Sequence, residues 1–200
     1  MKDIEPLESV AWSAAQRLVE CYQRSRRSDW QWFESRMTYA NAVLPEALFV
    51  AARRWPNEPF LEAAEASFAF LDRATTAENL FWPIGNGGWF LHGEEKAAYD
   101  QQPVEAVTMA ESALTAFGLL GGESHLAAFH RARGWFHGQN SLLQSLVDTR
   151  YGGCYDGLHS AGVNRNQGAE STLAYLWTEL LHFEVQQALG DNRKVTVASA

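Results

Sequence analysis

The residues best suited to chemistry lie where a polar loop becomes a helix, at Tyr99-Asp100-Gln101-Gln102-Pro103-Val104-Glu105-Ala106. Pro103 suits a first helical position, because it has no N–H to satisfy and its φ is already helical. Glu105 then falls near the third position, where free backbone N–H groups and the positive end of the helix dipole converge. That setting favours an ionised carboxylate, which can act as a base or a hydrogen-bond acceptor. Asp100, in the loop, can point at the same volume. Helix capping is the plain alternative for any one such site. Related arrangements recur at Tyr39-Ala40-Asn41-Ala42-Val43-Leu44-Pro45-Glu46-Ala47 and at Asn164-Arg165-Asn166-Gln167-Gly168-Ala169-Glu170-Ser171. Amide or acid side chains precede a Glu in each, and the three Glu residues are spaced about 60 apart, the length of a helical hairpin plus a long loop.

The helices that would position these groups are read from apolar residues at three- and four-residue spacing. They are expected over 5–25, 38–54, 59–74, 103–119, 123–138 and 168–189, with Pro45 moving the start of the second toward Asn41 and Gly121-Gly122 ending the fourth. Residues 191–200 read as a flexible tail, leaving 1–190 as one domain. The fold class is therefore all-α: three α-hairpins joined by long Gly- and aromatic-rich loops. The loop Thr75 to Gln102 has room for a hairpin turning at Gly87-Gly88, where positive φ is tolerated. In stacked hairpins alternate helices run parallel. The second, fourth and sixth should bring their N-termini, with Glu46, Glu105 and Glu170, to one rim.

Many aromatic residues stand among polar ones in the loops: Trp30, Trp32, Phe33, Phe81, Trp82, Trp89, Phe90, Tyr99, Tyr151 and Tyr155. A flat apolar face beside hydrogen-bonding groups suits a sugar ring with its C–H face and hydroxyl rim. The net charge of −8 argues against a sequence-independent grip on nucleic acid. No run of about 18 apolar residues exists to span a bilayer, and no N-terminal basic-then-apolar pattern marks a signal peptide. Cys21 and Cys154 match no metal spacing and read as reduced thiols of a cytoplasmic protein. No cofactor or metal is expected. Gly85-Asn86-Gly87-Gly88 lacks the Lys of a phosphate loop, and Ser171 has no nucleophile elbow around it.

The segments Asp29-Trp30-Gln31-Trp32-Phe33-Glu34, Thr38–Leu48, Tyr99–Ala106 and Asn164–Leu173 resemble the six-hairpin glycosidase-like, (α/α)6-toroid proteins. They are most similar to the toroid region found C-terminal to bacterial group 1 glycosyltransferases. The resemblance covers nearly all of residues 8–185. It implies an inner ring of helices and a carbohydrate-facing cleft at their N-terminal rim. A complete toroid has twelve helices and this chain supplies six, so it reads as a partial toroid. Its apolar flanks would need a second copy of the chain or a separate polypeptide to cover them, unless the chain is a truncated product.

Three functions follow as expectations. The first is processing of a glycan, for which hydrolysis needs two carboxyl groups across the bond. Asp100 and Glu105 are the first choice, then Glu170 and Asp156, with Trp30, Trp32, Trp82 and Trp89 stacking on the sugar and Asn41, Gln102, Asn166 and Gln167 binding hydroxyls. Against it stands the reading that these acids cap helices or pair with Arg36, Arg150 or Arg165. The second is a non-catalytic module that binds glycan or braces a separate glycosyltransferase. The third is a sugar epimerase using His92 or His159, the two histidines in rim loops.

Overall fold

A computed structural model describes the backbone of residues 4–198 and the side chains of 7–188. Six helices dominate: α1 Ile4–Ser25, α2 Val43–Arg54, α3 Phe60–Ala74, α4 Pro103–Leu120, α5 Glu123–Phe136 and α6 Ala169–Ala198. The apolar spacing locates each of them. Residues 38–42 form a turn rather than helix, with Ala40 at φ 49°, so α2 begins where Pro45 allows, with the proline inside its first turn. α6 continues past Gly190 to Ala198, beyond the end expected at residue 189.

α4 is the central element. Its first position is Pro103, and it stops at Gly121 and Gly122, both with positive φ. Small residues (Ala106, Ala110, Ala113, Ala116) let its neighbours approach closely, and all four are buried. α4 packs against α2 on one flank and α6 on the other, with α5 behind it; α3 lies behind α2, and α1 packs against both α2 and α3. The alternate helices α2, α4 and α6 thus form one layer and the remaining helices a second.

The chain is mainly helical but not all-α. Among the described residues eight short strands pair into four two-stranded antiparallel sheets within the loops: β1 Arg36–Met37 with β4 Phe90–Leu91, β2 Thr76–Ala77 with β3 Leu80–Phe81, β5 Val147–Asp148 with β6 Gly153–Cys154, and β7 Gly157–His159 with β8 Gly162–Asn164. The hairpin of the long loop turns at Glu78-Asn79, with φ of 51° and 61°, and not at Gly87-Gly88, whose φ values are not positive. The nearby Gly85 answers a steric demand: a Cβ there would lie 1.8 Å from the Tyr99 carbonyl oxygen. Lys96 pins the same loop, its Nζ donating to the carbonyls of Ala74 and Trp82 at 2.5 Å.

Both thiols are free, and burial beside Asp156 pushes that of Cys154 up to about 12. Among the described residues no helix is long and apolar enough to cross a membrane.

Candidate functional site

The starts of α2, α4 and α6 meet at one rim, joined by side chains. Glu105, in the first turn of α4, accepts hydrogen bonds from the N–H of Ala40 at 2.5 Å, the N–H of Asn41 at 3.4 Å and Asn41 Nδ2 at 3.0 Å. Tyr39 donates its hydroxyl to both oxygens of Glu170, in the first turn of α6, at 3.0 and 3.1 Å. No side chain caps α2 locally, and Glu105 takes up free N–H groups just ahead of it from across the fold.

This use of Glu105 corrects its assignment as an open base. The residue is 6% exposed, and burial raises its carboxyl above the usual range despite the opposing hydrogen bonds from Asn41 and Ala40. Desolvation outweighs the helix-terminus field, and both oxygens are engaged. Asn41 is likewise committed: it is buried, its Oδ1 accepts from the Thr38 N–H, and its Nδ2 donates to Thr38 O and to Glu105. Asp156 is a cap supplied from a loop, its Oδ1 accepting from the N–H of Gly168 and the hydroxyl of Ser171, both at 2.7 Å. None of these acids pairs with Arg36, Arg150 or Arg165 among the described residues.

Beside this frame is a small polar hollow of about 80 Å³, bordered by Asp100, Gln102, Asp156, Leu158, His159 and Asn164. Asp156 holds Gly168 and Ser171, which bracket Glu170 in sequence, but neither Tyr39 nor Glu170 lines the hollow. Asp100 is exposed at φ 59°, and neither its carboxylate nor the Gln102 amide hydrogen-bonds to another described residue. Asn166 is exposed; its carbonyl accepts from the Asp156 N–H at 2.9 Å. Gln167 turns aside, donating to Asp148 at 2.9 Å.

The tryptophans divide. Trp30 and Trp32 are 3% and 1% exposed, which corrects their assignment as sugar platforms. Trp30 meets Phe70 and Phe90 edge-on at 5.2 and 5.0 Å and donates to Glu34 O, so it is a core residue with a satisfied N–H. Trp82 and Trp89 are partly exposed, Trp82 donating to Ala98 O at 3.0 Å. His92 pairs with Asp29 beside Trp30, whereas His159 borders the hollow, so the two histidines belong to different clusters.

Glu46 also departs from expectation. It lies deeper along the layer than Glu105, accepting from Thr115 Oγ1 at 3.3 Å in the last third of α4. Burial, then the nearby Glu111, raise its carboxyl from 4.5 to about 7. Its folded pKa exceeds its unfolded one, so the fold holds the extra proton and stability falls as pH rises from about 4.5 to about 7. Discounted for its partial exposure, the decline is about 1–2 kcal/mol. Glu46→Gln is expected to flatten it, checked by urea midpoints from pH 4 to pH 8.

Sequence reasoning missed Gln101. It is fully buried, its Oε1 accepting from Trp135 Nε1 at 2.8 Å and its Nε2 donating to Ala98 O and Ser141 Oγ. Its backbone exchanges two 2.9 Å hydrogen bonds with Leu158, fastening one wall of the hollow to the other. Its polar neighbours gave no signal of this, because the partner Trp135 lies 34 residues away. The role of Tyr39 was also missed, because a helix expected over 38–54 would hold it inside the helix rather than in the turn before α2. No family model matches the chain, and no curated protein matches it.

Proposed function

We propose that the chain is a non-catalytic carbohydrate-binding module whose ligand lies across the rim where α2, α4 and α6 begin. The observation that carries this reading is the division of labour among the polar groups there. Glu105, Asn41 and Asp156 are consumed in holding the helix starts together. The side-chain polar groups of Asp100, Gln102 and Asn166 hydrogen-bond to no other described residue, and Tyr39 is exposed. Hydroxyl-rich ligands are recognised by such groups, each backed by a rigid frame. Hydrolysis asks for two carboxyl groups poised across a bond. Two of the four acids first considered are spent on backbone N–H groups, which favours recognition over catalysis. The small hollow admits a hydroxyl or a water rather than a whole ring, so the ligand would lie over it. The resemblance to the toroid regions of glycosyltransferases points to the same ligand class.

The test is binding of the purified chain to an oligosaccharide array, repeated with Asp100→Asn/Gln102→Ala. We expect selective binding, weakened about tenfold or more in the double variant, the equivalent of about 1.4 kcal/mol. Asp100→Asn keeps a side chain that tolerates positive φ. The reading fails if no glycan is bound, or if reducing sugar is released by the parent chain and lost in Asp100→Asn.

A further inference from the structure

The layer α2–α4–α6 has two uncovered flanks that match each other. On the α6 side, Leu173, Leu176, Leu180 and Phe183 are 62%, 50%, 46% and 59% exposed and form a ridge at helical spacing. On the opposite side a groove of about 880 Å³ runs between α1 and α2, lined by Leu7, Ala11, Ala14, Val43, Ala47 and Val50. Its α2 wall presents Val43, Ala47, Val50 and Ala51, with Glu46, Arg53 and Arg54 also lining it. The spacing agrees. Val43, Val50 and Arg54 fall at offsets of seven and eleven residues along α2, and Leu173, Leu180 and Glu184 fall at the same offsets along α6. Both helices start at the same rim, so a parallel docking that sets Leu173 level with Val43 brings the acid Glu184 level with the base Arg54. Glu184 is exposed and makes no ion pair among the described residues, and Arg54 already holds Glu8 at the groove edge.

We propose that these flanks bind each other between two copies of the chain. The α6 ridge of one protomer enters the α1/α2 groove of its partner, and the partner's ridge enters the first groove, closing a two-fold ring. A contact between different patches closes when the rotation between copies is a half-turn, and the ring then has two such junctions. Exposed apolar stripes of this size on both ends of one layer are what such a contact would bury. With the two-fold axis along the helices, both rims face one common mouth, so the proposed binding surface is completed by the partner. The pairing stands on the flanks alone and does not depend on what the rim binds.

Light scattering of the full chain at micromolar concentration is expected to give twice its own mass. Leu180→Asp, on the ridge, and Val50→Asp, in the groove, should each break both junctions and weaken dimerisation by about 100-fold or more. Mixing the two variants should restore a heterodimer, because one junction then pairs an intact ridge with an intact groove. Leu180→Cys/Val50→Cys in one chain, oxidised, should cross-link between chains and not within them. A helical monomer for the parent chain, a dimer indifferent to Val50→Asp (as ridge-to-ridge pairing would give), species growing beyond a dimer, or the absence of the interchain cross-link would each overturn the proposal.

Discussion

Glu105→Ala is expected to destabilise the chain by about 3–5 kcal/mol, read as the shift in urea unfolding at neutral pH. The substitution strands the N–H groups of Ala40 and Asn41 and one of the two Nδ2 hydrogens of Asn41, the other being held by Thr38 O. A buried donor left without a partner costs about 1–3 kcal/mol, and hydrogen bonds to a charged acceptor stand at the upper end of that range. Glu105→Gln should cost less, about 2 kcal/mol, because one oxygen survives while the new NH2 group must face a donor. The pair of variants separates a strut from a catalytic base. A base replaced by its amide leaves stability nearly intact and removes activity; a strut loses stability first. The pH response has a defined sign. Burial raises the folded pKa above the unfolded one, so the parent chain gives up stability as pH climbs upward from the ordinary glutamate value. Glu105→Gln should lack that component, measured as a shallower decline of the urea midpoint with pH than in the parent chain.

The helices were legible because local signals set them. Apolar spacing, Pro103 at a first position, Gly121-Gly122 at an end and Pro45 near a start each act within a few residues. The convergence of the α2, α4 and α6 starts was legible too, since it follows from hairpins whose alternate members run parallel. The role of each group at the rim was not. A Glu in a first turn reads alike whether its carboxylate faces solvent or a loop 64 residues away in sequence, as Glu105 faces Asn41. Trp30 and Trp32 sit among polar neighbours, yet Trp30 is buried by Phe70 and Phe90, which arrive from distant segments. Strands of two or three residues carry no detectable alternation, so the sheets that shape the loops leave almost no trace. The fold's outline is thus written in short-range pattern, and the site's chemistry in long-range pairing.

Gly157→Ala should be the most damaging small substitution at the rim, costing about 3–5 kcal/mol and opening the hollow. Two separate penalties meet there. Gly157 has φ +152°, a conformation that side chains rarely adopt, and a Cβ would stand 2.2 Å from the Gln101 carbonyl oxygen. Gln101 has nowhere to retreat: its amide is held by Trp135, Ala98 and Ser141, and the oxygen under pressure accepts the Leu158 N–H at 2.9 Å. Relief would therefore break the Gln101–Leu158 bridge that joins the long loop before α4 to β7. Gly152→Ala supplies the control. Gly152 also has positive φ, at +75°, but a Cβ there would have no neighbour within 4 Å, so its cost should be the backbone term alone, about 1 kcal/mol. If the two substitutions cost the same, the close approach of Gly157 to Gln101 is not what holds the hollow shut. If the difference is as large as the geometry requires, the His159 ring signals in NMR should move in Gly157→Ala and stay in place in Gly152→Ala, because His159 borders the hollow and Gly152 does not.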